Sequence, residues 1–269
     1  MAIITISRGS YSKGKEVAEK VARKLDYQCI AREIILKASK EYNTPEIKLL
    51  RAIHDPPSVL DRLTYGREKY IAYFQSALLN HLQRDNIIYH GLAGHFFLKG
   101  VSHTLKVRII SDVEDRLALE MAREGVSREQ ALAILKKDDE ERKKWSRTLY
   151  GIDTSDSSLY DLVIRIRKIT VDDAVDLICH AAGLEQFKTT VASQQAMEDL
   201  VLSSKVKAAL IDLKPDVQVT AKAGKVLVGT RSTLVHEPEM KKEMERIAES
   251  IPGVKSVEIQ VTHLVDWSD

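Results

Sequence analysis

Apolar residues recur along this chain in two rhythms. Short runs with little polar interruption, at 2–7, 86–90, 105–111 and 161–166, have the length and β-branched content of buried strands, with a weaker one at 27–30. Between them apolar positions return every three or four residues, at 15–25, 67–84, 112–124, 128–150 and 171–182, and predict helices. Strands separated by helices pair in parallel, because a parallel pair needs a long crossover. The expectation for residues 2–183 is therefore a three-layer α/β domain, a parallel sheet with helices on both faces. Asp55, Pro56, Pro57 and Ser58 interrupt the long helical stretch between the second and third strands, since proline cannot continue a helix.

After Gly183 the rhythm changes. Residues 184–197, with Gln186, Thr189, Thr190, Ser193, Gln194 and Gln195, are polar and predict a linker. Beyond it the pattern predicts a helix at 200–213 and two strands, at 217–221 and 226–229, around the turn Ala223-Gly224-Lys225. A helix at 236–250 and a strand at 254–261, entered through Pro252-Gly253, complete a small α+β domain.

Composition narrows the class without choosing a function. The 269 residues suggest two domains, and 44% hydrophobic with 30% charged residues describes a soluble globular chain. Its 41 basic residues nearly cancel 39 acidic ones, so nothing in the charge calls for nucleic acid. Cys29 and Cys179 have no metal-type spacing and are expected to be buried free thiols in a reducing compartment. The sequence enters a strand without a basic, apolar leader and has no apolar run of about 18 residues. The expectation is a cytoplasmic protein that is not integral to a membrane.

The chemistry begins where the first strand ends. Gly9 to Lys15 reads G-S-Y-S-K-G-K and fits the phosphate-binding pattern G-x-x-x-x-G-K. Inward-pointing amides of such a turn and the positive end of the next helix attract phosphate oxygens, and Lys15 adds a point charge. The next residue should carry a magnesium-binding hydroxyl, and here it is Glu16. A second candidate is the run LKKDDEERKKWSRTLYG, with Arg142 and Arg147. Taken alone it fits first a solvated helix face laced with i,i+4 pairs; the alternative is a lid whose arginines close on a transferring phosphoryl group.

Residues 1–183 resemble the cytidylate kinase-like branch of the P-loop nucleoside monophosphate kinases. The stretches that carry the resemblance are ITISRGSYSKGKEVAEKVARKLDYQCIAREII, NIIYHGLAGHFFLKG, LKVRIISDVEDRLALEMAREGVSREQALAILKKDDEERKKWSRTLYG and SSLYDLVIRIRKITVDDAVDLI. The resemblance implies a P-loop NTPase sheet that uses ATP and Mg2+. It places Gly9, Ser10, Tyr11, Ser12, Lys13, Gly14, Lys15 and Glu16 around the donor phosphates, with the magnesium held chiefly by phosphates and water. It makes Lys15, Arg142 and Arg147 the catalytic cations, and Arg32 and Asp139 substrate-binding residues. Arg116 has a surface salt bridge as its simpler explanation.

Two departures fall on the acceptor side. The family usually has an acidic residue just before Arg32, and here it is Ala31; it has a Gly-Arg pair after the third strand, and here Gly91 is followed by Leu92. His90 and His95 flank that gap as candidate replacements. The implied function is phosphoryl transfer from ATP to a nucleoside monophosphate such as CMP or dCMP. The alternative is a nucleotide-binding sensor with little turnover. Residues 198–263 resemble a BON domain on VKAALIDLKPDVQVTAKAGKVLVGT and MKKEMERIAESIPGVKSVEIQV. That resemblance implies a module for a lipid, a small ligand or a partner protein, or else a dimerisation appendage.

Overall fold

The computed structural model describes residues 2–8, 13–31, 33–54, 66–91, 94–232 and 237–263. The chain forms two compact units. One comprises Met1–Leu36, Ile53–Ser58 and Arg84–Thr190; the other comprises Lys37–Ala52, Val59–Gln83 and Val191–Asp269.

The first unit is built on five parallel strands: β1 (Ile3–Arg8), β2 (Gln28–Ile30), β3 (Ile87–His90), β4 (Thr104–Ser111) and β5 (Leu162–Ile166). Their order is β2-β3-β1-β4-β5. Side chains alternate between the two faces. Ile4, Ile6, Ile88, Leu105, Val107, Ile109, Ile164 and Ile166 point to one face and form a single buried cluster. Helices α1 (Gly14–Leu25) and, late in the unit, Val171–Ala182 bring Val17, Ala18, Val21, Ala174, Val175 and Ile178 onto it. Each fully buried aliphatic side chain contributes about 1.5–3 kcal/mol relative to exposure, so this face holds the helices firmly to the sheet. The opposite face carries Thr5 and Ser7 of β1 in register with Lys106 and Arg108 of β4.

Helix boundaries follow local chemistry. After α2 (Glu33–Glu41), α3 (Glu46–His54), α4 (Gly66–Leu82), the short α5 (Gly94–Phe97) and α6 (Val113–Glu124), the long α7 runs from Arg128 to Tyr150. Ser127 caps α7 reciprocally with Gln130, and Thr170 caps α8 (Val171–Ala182) with Asp173. Each capping box satisfies two amides that a helix start would otherwise leave bare. Gly151 ends α7 at φ 65°, a left-handed position that glycine adopts without a Cβ clash.

In the second unit α4 packs against α9 (Val191–Leu210). Asp212, just past α9, receives Lys69 Nζ at 2.6 Å and the Tyr73 hydroxyl at 3.1 Å. Tyr73 in turn stacks on Tyr42 with ring centroids 4.2 Å apart. The strands β6 (Gln218–Lys222), β7 (Lys225–Ser232) and β8 (Ser256–His263) form a separate sheet, antiparallel between β6 and β7 and parallel between β7 and β8. Helix α10 (Glu237–Glu249) connects the last two strands. The polar stretch expected to be a linker is corrected in part, because α9 starts at Val191. Ser193 and Met197 are buried on it, so small and flexible side chains serve there as an inward stripe.

Candidate functional site

In a sheet of this order, ligands sit beyond the carboxyl ends of the strands, beside β1. β1 ends there at Arg8, and α1 starts at Gly14. Gly9, Ser10, Tyr11 and Ser12 lie outside the described residues, as do Arg32 and Leu92. Lys13 stands in the left-handed region at φ 57° and makes no side-chain cap to α1. The first amides of α1 thus receive no bond from their N-cap side chain, which suits an anion at this helix start. Gly14 is the buried first residue of α1. Lys15 is exposed, with its Nζ 3.7 Å from Glu19, and Glu16 faces Lys20 at 3.6 Å. Lys20 also holds Asp172 at 2.8 Å, so Glu16 belongs to a surface network.

The end of β2 supplies a carboxylate that sequence reasoning missed. Glu33 opens α2 and folds back, so that its Oε2 accepts the Ala31 N–H at 2.7 Å. This bond, followed by its own backbone N–H and the charges of His90 and Lys15, holds the carboxyl below its ordinary value. Glu33 thus sets a carboxylate two residues beyond Ala31, within the electrostatic reach of Lys15. An acid in the first turn of a predicted helix was the available signal, and it reads equally as a helix-dipole charge. Nearby, the half-buried Cys29 thiol is pushed up to about 11, mainly by burial, and Cys179 is likewise free and half-buried.

The lid candidates are engaged. Arg147 Nη2 contacts Asp153 at 2.7 Å, and Lys143 reaches the same oxygen at 3.2 Å. Asp153 also accepts the Ser155 hydroxyl and N–H, which together with the lysine keep its carboxyl well below the usual range. An incoming phosphate must compete with Asp153 for Arg147. Arg142 is half-buried on the same helix. Asp139 accepts Arg116 Nη2 on both carboxylate oxygens, each at 2.8 Å, joining α7 to α6. The simpler reading of Arg116 as a salt-bridging residue thus holds.

His95 is corrected as a replacement cation. It lies 6% exposed on α5, and burial first, then the charges of Lys106 and Arg108, push its value down to about 3. It is neutral at physiological pH and cannot offer a charge to a phosphate. Its Nε2 is 3.3 Å from the hydroxyl of Tyr160, which donates to the Thr154 carbonyl at 3.0 Å. The same oxygen lies 3.2 Å from Arg108 Nη1 and 3.4 Å from Ser7 Oγ. Tyr160 thus joins the end of β1, α5, β4 and the exit of α7. No cluster of three or more metal-ligating side chains occurs among the described residues.

Comparison with known proteins assigns this arrangement to a class: residues 3–168 match the cytidylate kinase-like family, and the chain belongs to it. More particularly, it is 28% identical over 191 residues to a cytidylate kinase from Archaeoglobus fulgidus, covering 69% of this chain and 97% of that protein. The fold is similar to the crystal structure of an uncharacterized protein from Eubacterium ventriosum, with a TM-score of 0.52 and 23% identity. That match covers 68% of this chain and 98% of the other. No helix among the described residues is long and apolar enough to cross a membrane.

Proposed function

We propose that the first unit transfers the γ-phosphoryl group of ATP to a nucleoside monophosphate, with CMP or dCMP as the preferred acceptor. The observation that carries this reading is the G-x-x-x-x-G-K turn between β1 and α1, at the strand end where such sheets bind ligands, in a chain of this family. Phosphoryl transfer asks mainly for positioning and for neutralisation of charge on the equatorial oxygens. Lys15, exposed at the start of α1, meets the donor phosphates together with the backbone amides of the G-x-x-x-x-G-K motif. Arg142 and Arg147 neutralise the transferring group once Arg147 leaves Asp153. Arg32 and Glu33 orient the acceptor at the end of β2. Magnesium bound with ATP would neutralise the phosphates and would be held chiefly by nucleotide and water, near Glu16, which faces Lys20. Residues 198–269 we read as a BON-like binding module for a lipid, a small ligand or a partner protein.

The test is ADP production from Mg-ATP with CMP, dCMP, UMP, AMP and GMP in turn. Acceptor-dependent turnover in wild type that disappears in Lys15→Ala supports the reading. ATP binding without turnover on any acceptor replaces it with a nucleotide sensor.

A further inference from the structure

We propose that the sheet face formed by Thr5, Ser7, Lys106 and Arg108 is an anion subsite for a phosphate group, with Arg108 as its principal cation. It deepens the phosphotransfer reading, on which it rests for the identity of the ligand: there the group is the phosphate of the nucleoside monophosphate.

Lys106 and Arg108 alternate on β4 and stand in register with Thr5 and Ser7 of β1, so two cations and two hydroxyls share one face. No ion pair to either cation side chain forms among the described residues; the adjacent Asp161 carboxylate accepts the Lys106 backbone N–H at 2.7 Å. Two cations on one partly buried face, neither in an ion pair there, make a positive potential, and an anion relieves it. The same potential is felt by His95, whose proton both cations help to expel.

Arg108 is also held in place. Its guanidinium lies 5.5 Å from the centre of the Tyr160 ring, and its Nη1 is 3.2 Å from the Tyr160 oxygen. That hydroxyl has given its proton to Thr154, so the oxygen faces Arg108 as an acceptor. One N–H is thereby anchored, and the remaining donors of the fork meet no carboxylate among the described residues. Thr5 Oγ1, 2% exposed, has no hydrogen-bond partner among the described residues and adds a buried donor on the same face.

The experiment titrates full-length wild type, Arg108→Gln and Arg108→Lys with CMP, ATP and inorganic phosphate by calorimetry. A charge-assisted contact of this kind is worth a loss of about 10- to 100-fold in affinity. The expected result is that loss for CMP in Arg108→Gln, partial recovery in Arg108→Lys and unchanged ATP binding. Equal CMP affinity in all three proteins, or equal loss of ATP and CMP, overturns the subsite. If wild type turns over no acceptor, the phosphotransfer reading fails but the subsite is still decided by phosphate. Phosphate bound by wild type and lost in Arg108→Gln supports it, and phosphate ignored by wild type overturns it. Should Arg108→Gln fail to fold, Tyr160→Phe decides: it removes only the hydroxyl anchor and is expected to weaken CMP or phosphate binding by ~3-fold. No change there overturns the proposal.

Discussion

The buried imidazole of His95 links the stability of the first unit to pH. In the fold its value lies at about 3, against an ordinary 6.5. The unfolded chain therefore takes up a proton as pH falls through 6.5, whereas the folded chain refuses it until about 3. Between those limits the unfolded state holds more protons, so stability falls as pH falls, and the contribution is fully present only above the unfolded value. Evaluated between pH 7 and pH 5, the linkage amounts to about 2 kcal/mol. Burial sets it first and the cations Lys106 and Arg108 next; the Tyr160 hydroxyl and the ring of Phe96 at 4.0 Å are its neighbours, and none of these groups is a carboxylate that would rescue an imidazolium. Replacing His95 by Gln keeps a polar side chain and removes the titration. Urea denaturation of both proteins at pH 7 and pH 5 then isolates the histidine, because every other titrating group cancels in the difference of slopes. Wild type is expected to lose about 2 kcal/mol more than His95→Gln over that interval. Parallel losses in the two proteins would refute the burial and neutrality of this side chain.

Asp139→Asn breaks the link from α7 to Arg116. Because Asp139 is 45% exposed, the cost is discounted to about 0.5–1 kcal/mol, or ~2 °C in thermal midpoint, with the acceptor KM unchanged. A raised KM without loss of stability would place Asp139 at the substrate site. Gly224→Ala places a Cβ 2.8 Å from Lys255 Cγ and 3.0 Å from the Gly253 carbonyl, at φ 89°. A loss of about 1–3 kcal/mol is expected from the denaturation midpoint, and an unchanged midpoint would show that the β6–β7 turn is not held as described.

β1, β3 and β5 were legible as short, largely apolar runs and β4 through its β-branched residues, whereas the three-residue β2 carried a weaker signal; α7 and α8 were legible because Ser127-Gln130 and Thr170-Asp173 spell out their own starts. Residues 191–197 were not, since Ser193 faces inward on α9 and a polar residue gives no periodicity signal. In the candidate site, Lys15 and the arginines of α7 follow from motif and charge. Glu33 did not, because its role depends on a side chain folding back onto Ala31. Tyr160 was invisible for a similar reason: it gathers Ser7, His95, Arg108 and Thr154 from segments far apart in sequence. Pairing across that distance is set by the sheet register, which no local pattern encodes.

The pairing of α4 with α9 has a consequence for how the protein is made. Tyr73 and its acceptor Asp212 are separated by 139 positions. A ribosome adding about 5–20 residues per second therefore exposes α4 for roughly ten seconds before its partner emerges. Throughout that interval Phe74, Leu78, Leu79 and Leu82, all buried in the finished fold, belong to a helix without its mate. The second unit closes last, and a chain interrupted at Thr190 would leave this apolar helix to a chaperone, a protease or another copy of itself.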